Sequence, residues 1–132
     1  MKIEQISVVV HASRRWTDSG VDVVAGERWR LVSSGEWTDW RIKCDAAGFD
    51  EPRLRLFEPL RRLPTAPWFG LVASIDKTRH TFTYVGREAD LVPARSGRLY
   101  LFANDVAGMY WNNSGCVETR LSRGISFDGG AS

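Results

Sequence analysis

Residues 104–115 combine side chains that can ligate a hard cation. They include one carboxylate, on Asp105, and three side-chain amides, on Asn104, Asn112 and Asn113. Calcium takes about 6–8 oxygen ligands from carboxylates, amides, backbone carbonyls and water. The spacing differs from that of an EF-hand loop, and no helix-forming sequence flanks the segment on both sides. The residue types therefore predict an oxygen-ligand site in a loop between strands.

The same residue types are also common in turns that bind nothing. Asn, Asp, Gly and Ser tolerate left-handed backbone angles and bond their own main chain. The length of the segment argues for a functional loop. It follows the apolar run at residues 99–103 and joins two predicted neighbouring strands, yet it spans twelve residues, whereas hairpin loops use about 2–5. A bound ion would hold so long a loop in place.

The composition is that of one ordinary globular domain. The chain has 132 residues, 43% of them apolar, which is enough to bury roughly two thirds of the unfolded surface. We expect a single domain over residues 1–125 and a frayed, glycine-rich tail over residues 126–132. The 18 basic and 16 acidic residues are interspersed and give a net charge of +2, which indicates neither nucleic-acid binding nor a membrane-binding face.

No segment has the composition of a membrane span or of a usual secretory signal. The longest apolar runs have five residues or fewer, far below the roughly 20 that a spanning helix needs. The first residues lack a long apolar core and a small-residue cleavage site. The compartment is therefore left open by these patterns.

Cysteine and histidine supply no metal or catalytic motif. Cys44 and Cys116 could pair, but no Cys/His spacing typical of zinc is present, and we favour free thiols. His11 and His80 lie far apart in strand-like segments without a nucleophile or metal partner. Structural roles are favoured for both histidines.

The apolar pattern predicts short strands separated by turns. Val8 and Val10 alternate with polar residues, while Val9 interrupts the alternation and suggests a strand partly covered on both faces. Residues 21–24 and 29–32 flank a glycine-containing turn and predict a hairpin. Further alternation marks residues 71–75, 82–84 and 117–121, and residues 98–103 are nearly continuous apolar sequence.

No segment holds a helical period over three turns, and residues 51–62 are interrupted by Pro52 and Pro59. The consequence is an all-β fold. Seven or eight strands with this spacing predict a two-sheet β-sandwich whose inward residues form the core.

The late segment resembles a known family. Residues 97–115 read GRLYLFANDVAGMYWNNSG, which is similar to the N-D-x-x-G-x-Y-x-N-N-S-G signature of the bacterial galactophilic LecA-type (PA-I-like) lectins. Residues 16–27 and 34–37 are similar to the first hairpin and the Gly-Trp segment of that family. Residues 41–67 match poorly.

The resemblance implies a jelly-roll-like, galactose-binding-like sandwich of two antiparallel sheets whose end loops hold one calcium ion. It implies metal ligation by the carboxylate of Asp105, by the amide oxygens of Asn112 and Asn113, and by the backbone carbonyls of Met109 and Trp40. About one to three coordination positions are then left for two vicinal sugar hydroxyls. A site with one carboxylate belongs near the weak, roughly 10⁻⁴–10⁻³ M end of calcium affinities, which favours function outside the cell.

Two aromatic residues of the loop have alternative interpretations. Tyr110, which the family pattern shares, is favoured as a plug at the end of the sandwich. Trp111 stands where the family commonly has a small residue, and it is either a platform for a sugar ring or an obstruction. The implied sugar contacts are Asp105, Asn112, Trp40 and Trp111.

Three classes of function follow. The first is a calcium-dependent carbohydrate-binding protein with a galactose-type ligand, acting as a homo-oligomer as the family commonly does. The second is a calcium-stabilised structural or interaction module that has lost sugar binding. An enzyme is disfavoured, because no Gly-x-Ser-x-Gly elbow, metal-hydrolase motif or phosphate loop occurs in the sequence. The arginines at 53, 55, 61 and 62 predict a solvated loop, with an acidic glycan or a neighbouring subunit as the alternative partner.

Overall fold

A computed structural model describes residues 3–124 of the chain. In these residues the short apolar runs form nine β-strands. The predicted frayed tail at residues 126–132 lies outside the described residues. The strands are β1 (Ile3–His11), β2 (Thr17–Val23), β3 (Trp29–Asp39), β4 (Ile42–Cys44), β5 (Leu71–Ile75), β6 (Thr83–Tyr84), β7 (Glu88–Leu91), β8 (Gly97–Ala103) and β9 (Asn113–Gly124). Three 3₁₀ helices cover Pro52–Leu60, Arg79–Thr81 and Tyr110–Asn112.

The strands form two antiparallel sheets. The five-stranded sheet has the order β1-β9-β3-β4, and β7 also pairs with β3. The four-stranded sheet has the order β2-β8-β5-β6. The predicted all-β sandwich is therefore confirmed. Within the described residues, no helix is long and apolar enough to cross a membrane.

Alternating side chains of the two sheets meet in one core. Leu31 and Trp37 of β3 and Val117 and Leu121 of β9 are fully buried, and their strand neighbours turn to the outside. All five residues of β5 are buried, so both faces of this strand are covered. Val9 is half exposed, so the outer face of β1 is open and the predicted cover on both faces is wrong.

The predicted hairpin across Gly26 is wrong. β2 belongs to the four-stranded sheet and β3 to the five-stranded sheet, so the turn carries the chain from one sheet to the other. Local hydrogen bonds satisfy the main-chain groups of Val24. Its N–H donates to the carboxylate of Glu27 at 2.8 Å, and its carbonyl accepts the main-chain N–H of Glu27 at 3.0 Å. A glycine turn thus marks a chain reversal without fixing which strands pair.

The strands on either side of the polar loop are not neighbours either. β8 ends in one sheet at Ala103 and β9 begins in the other at Asn113. The connection crosses the end of the sandwich, and this crossing by itself requires a segment longer than a hairpin turn. Length alone is therefore weaker evidence for a ligand than the sequence suggested.

Cys44 and Cys116 are free thiols, as the sequence favoured. Cys44 is half buried on β4, and burial raises the pKa of its thiol to about 12. At neutral pH this thiol is protonated and therefore a poor nucleophile.

Asn104 anchors the start of the polar loop to a neighbouring segment. Its side chain is fully buried, its oxygen accepts the N–H of Leu63 at 2.9 Å, and its nitrogen lies 2.9–3.2 Å from the carbonyls of Leu63, Ala66 and Pro67. This amide therefore has a structural role and is satisfied by the main chain. It sets the position of the next residue, Asp105.

We expect Asn104→Ala to destabilise the protein by about 2–4 kcal/mol, because it leaves several buried main-chain groups without a partner. The free energy of unfolding, measured with urea, checks this value. Glu118→Ala, at an exposed position on β9, is the control and should change stability by less than about 0.5 kcal/mol. Equal effects of the two substitutions would contradict the anchoring role.

Candidate functional site

The last residues of β3 and the first residue of β9 meet at one end of the sandwich. The register pairs Asp39 with Asn113. Trp40 follows in a left-handed conformation, with φ of 55°, and donates its N–H to the carbonyl of Asn112 at 3.1 Å. This bond ties the turn after β3 to the loop before β9. Residues distant in sequence thereby come to lie side by side.

The predicted ligands gather around one cavity of about 600 Å³, which we call the end cavity. Four of the five predicted metal ligands line it, namely Trp40, Asp105, Met109 and Asn112. The fifth, Asn113, is bonded to Asp105. The set inferred from spacing and resemblance is thus close together in space.

Asp105 is a buried carboxylate without a cationic partner among residues 3–124. It is 4% exposed. One oxygen accepts the N–H of Val106 at 2.7 Å and the other accepts the side-chain nitrogen of Asn113 at 3.1 Å. Burial, together with the charge of Asp39, raises the pKa of Asp105 to about 6, although the two hydrogen bonds act to lower it. The site therefore favours a positive charge placed close to Asp105.

Two amide oxygens at the site are buried without a hydrogen-bond donor from the described residues. They are Oδ1 of Asn112 and Oδ1 of Asn113. The orientation of Asn113 is fixed, because its nitrogen donates to the carbonyl of Ala12 at 3.0 Å and to Asp105. A buried acceptor left unpaired costs about 1–3 kcal/mol, so a cation or a hydroxyl group would relieve both amides.

Asp39 is a second carboxylate at the site that the sequence interpretation missed. It lines the end cavity with Asp105, and burial raises its pKa. Its neighbour Trp40 was named from the sequence as a predicted ligand. Asp39 itself reaches the site through the strand register that pairs it with Asn113, and no local sequence pattern reveals that register. The sequence signal that could have identified Asp39 is its position, one residue before Trp40.

The donor set consists of oxygen atoms of several kinds. Within the described chain, no group of three or more His, Cys, Asp or Glu side chains is placed to hold a metal ion. A metal at the end cavity would therefore need amide and backbone carbonyl oxygens beside the carboxylates of Asp39 and Asp105. Hard cations accept such a mixture, whereas zinc favours nitrogen and sulfur.

The two loop aromatics have different environments. Tyr110 is buried and donates its hydroxyl hydrogen to the carbonyl of Ala103, which confirms the interpretation as a structural plug. Trp111 is 77% exposed and does not line the end cavity. Its action as a platform or an obstruction stays a prediction.

The arginine-rich segment is only partly solvated. Arg61 and Arg62 are buried, so the prediction of a solvated loop is wrong for them. The guanidinium of Arg62 lies 3.6 Å from the ring centre of Phe102 and 4.3 Å from that of Trp16, and it donates to the hydroxyl of Tyr110 at 2.8 Å. Aromatic faces replace water around this cation. Neither arginine presents its charge to a ligand at the surface.

Comparison with known proteins identifies the architecture. No family model matches the sequence, and no curated protein matches it. Among solved structures, the fold is similar to the EclA N-terminal domain, described as a PllA-like lectin, with a TM-score of 0.70 and 21% sequence identity. The alignment covers 90% of this chain and 96% of that one. At this identity the similarity establishes a shared β-sandwich fold, and the LecA-type resemblance of the loop stays a prediction.

We expect the metal-free protein to become more stable as the pH falls from 7 to 5. The pKa of Asp105 lies near 6 in the folded state, above its ordinary 3.8, so the folded state binds more protons between these values. Protonation of Asp105 stabilises the folded state fully below about pH 4. This stabilisation is lost as the pH rises through 6, and the loss reaches up to about 3 kcal/mol at pH 7.

Urea unfolding in the presence of chelator at several pH values measures this dependence. Asp105→Asn keeps the shape of the side chain without its charge and should flatten the curve between pH 5 and 7. A wild-type free energy of unfolding that increases as the pH rises from 5 to 7 would contradict the assignment.

Proposed function

We propose that the protein is a calcium-dependent carbohydrate-binding protein. The observation that carries the proposal is the end cavity, where Asp39, Asp105 and the unpartnered amide oxygen of Asn112 meet and the unpartnered amide oxygen of Asn113 lies on a residue bonded to Asp105. Arg53 also lines the cavity but pairs with Glu51, so no described cationic side chain pairs with Asp39 or Asp105. Two further facts support it. The loop resembles that of LecA-type lectins, and the fold is similar to that of a protein described as a lectin.

The residues present fit a calcium ion. Asp105, Asn112 and Asn113 would supply side-chain oxygens, and Met109 and Trp40 would supply backbone carbonyls. Bound calcium would offer open coordination positions to two neighbouring hydroxyl groups of a sugar. The protein's own contribution is to hold these oxygens in place before the ion arrives, through the bonds from Val106 to Asp105 and between Asp105 and Asn113.

Asp39 changes the charge expected at the site. With Asp105 alone, half of the calcium charge would be offset, which led to the expectation of weak binding. A second carboxylate beside it offsets the other half and strengthens cation binding. We therefore propose tighter calcium binding than the sequence alone suggested.

The sugar class is proposed from the loop resemblance. A galactose-type ligand would place two hydroxyls at the metal and near Asp105 and Asn112. Trp40 is 66% exposed beside the cavity and offers an aromatic face to the apolar side of a sugar ring. Simple galactosides should bind weakly, at millimolar concentration, because residues 41–67 do not reproduce the family's contacts to an outer hydroxyl.

Thermal melts test the metal site. Calcium at a hundredfold excess over its dissociation constant should stabilise the fold by about 2.7 kcal/mol, which raises the melting temperature by roughly 10 °C. Asp105→Ala should abolish the shift and Asp39→Asn should reduce it. Asp90→Asn, an exposed surface carboxylate on β7, is the matched control and should leave the shift unchanged. Identical melting temperatures of the wild type with calcium and with chelator would contradict the proposed metal site.

Calorimetry with methyl galactoside tests sugar binding. Heat should appear with saturating calcium and vanish with chelator. Trp111→Ala decides how that exposed ring acts, because weaker binding identifies a platform and tighter binding identifies an obstruction. A glycan array run with and without calcium extends the search to other sugars. No binding on the array and no heat in the calorimeter would contradict the lectin assignment.

A calcium-stabilised structural module is the second candidate. The observation that favours it is the poor match of residues 41–67, where the family's contacts to the outer sugar hydroxyl are not reproduced. This candidate predicts the calcium shift in melting temperature without any sugar binding. We also propose a homo-oligomer, which light scattering at tens of micromolar tests, because linked sites strengthen weak sugar binding.

A further inference from the structure

Strand β1 forms one edge of the five-stranded sheet and has a long free side. It pairs with β9 over nine consecutive residues, from Ile3 to His11, without a break in register. Within residues 3–124, no strand pairs with its other side. An edge strand presents a row of main-chain N–H and C=O groups that can bond another chain.

The hydrogen bonds to β9 identify which main-chain groups of β1 face its free side. Ala12 continues the register of the strand and donates its N–H to the carbonyl of Gly115 at 3.0 Å. Because main-chain groups alternate in direction along a strand, the groups of the even-numbered residues of β1 also face β9. The groups of Gln5, Ser7 and Val9 therefore face the free side. No hydrogen bond from the other described residues reaches them.

The other sheet edges among the described residues are each protected against pairing. β4 and β6 have only three and two residues. β7 has four residues and carries Glu88 and Asp90, which form ion pairs with Arg30. β2 changes register between Asp18 and Asp22. Short length, charge and irregularity all hinder pairing with another chain.

Residues 5–11 of β1 lack each of these protections. Their sequence is QISVVVH, without proline, glycine, lysine, aspartate or glutamate. Ile6 is 38% exposed and Val9 is 48% exposed, so apolar surface lies beside the free main-chain groups. Valine and isoleucine also favour extended strands. A long, regular and apolar edge of this kind is suited to pairing with another strand.

We propose that β1 pairs with β1 of a second copy of the chain, so that two five-stranded sheets join into one continuous sheet. A two-fold axis makes the two strands antiparallel, and it places outward groups opposite outward groups only when it passes through a residue. Ser7 is the middle residue of Ile3–His11, so an axis at Ser7 pairs all nine residues. Ile6 then lies opposite Val8 of the second copy.

The neutral edge favours a second copy over a charged partner. Residues 5–10 carry no ionisable side chain, so they provide no charge that would select an acidic or a basic peptide. Self-pairing places no like charges opposite each other over these residues. It names the contact surface of the proposed homo-oligomer and depends on neither calcium nor sugar binding.

Hydrogen exchange of the full chain, followed by NMR at millimolar and at micromolar protein, tests the pairing. The amides of Gln5, Ser7 and Val9 should exchange at least about tenfold more slowly at the higher concentration, because the second copy bonds them. The amides of Ile6 and Val8 face β9 and are internal controls. Their protection should change little with concentration.

Ser7→Lys places two positive charges opposite each other at the axis and should weaken the dimer about fivefold or more in sedimentation equilibrium. Ser34→Lys is the matched control, because Ser34 is also exposed but lies on the interior strand β3; it should leave the dimer unchanged. Ser7→Pro is a second variant. It removes an N–H that makes no bond to β9, so it spares the sheet and should also separate the copies.

Three outcomes would overturn the inference. A monomer at millimolar concentration contradicts both the pairing and the proposed homo-oligomer, while the calcium melts and the calorimetry report separately on the proposed lectin function. An oligomer in which the amides of Gln5, Ser7 and Val9 exchange freely, or which both lysine variants weaken equally, assigns the contact to another surface. Protection that persists after dilution to a monomer assigns the edge to another segment of the same chain.

Discussion

The buried negative charge at the end of the sandwich governs the organisation of the site. Asp105 is removed from water next to Asp39, and no described basic side chain forms an ion pair with either of them. Such an arrangement is unfavourable in isolation, since a buried charge without a partner is destabilising. The fold tolerates it because strong local contacts surround it. A cation that satisfies these oxygens converts an unfavourable region of the structure into a stabilising one.

These contacts come from both sheets and fix the site before any ligand binds. Asn104 holds the loop at its start, the Trp40 N–H binds the carbonyl of Asn112 at its end, and Arg62 donates its main-chain N–H to the carbonyl of Asp105 at 3.0 Å. The oxygens proposed as ligands would therefore need little rearrangement. Preorganisation of this kind lowers the entropic cost of binding. The crossing of the chain between sheets, rather than a hairpin, is what brings these contacts together.

Local patterns predicted the strands well and their pairing poorly, and the calcium chemistry of the loop stays a prediction. Alternation located β1 and β9, and a nearly continuous apolar run located β8. The polar loop and its family resemblance together named four residues that line one cavity. The sheet membership of β2 and β3 was missed, because turn residues such as Gly26 encode a reversal and not a partner. Asp39 was missed for the same reason, since its role comes from long-range register. The burial of Arg62 depends on an aromatic cluster assembled from separate strands.

The distribution of the six tryptophans has a practical consequence. Trp29, Trp37 and Trp68 are buried, Trp16 is partly buried, and Trp40 and Trp111 are exposed. An aqueous quencher such as acrylamide therefore reaches Trp40, which lines the end cavity, and Trp111 far more readily than the buried indoles. Tryptophan fluorescence therefore needs no added label to report on this region. A ligand bound near the end cavity should lower the fraction of the fluorescence that the quencher reaches.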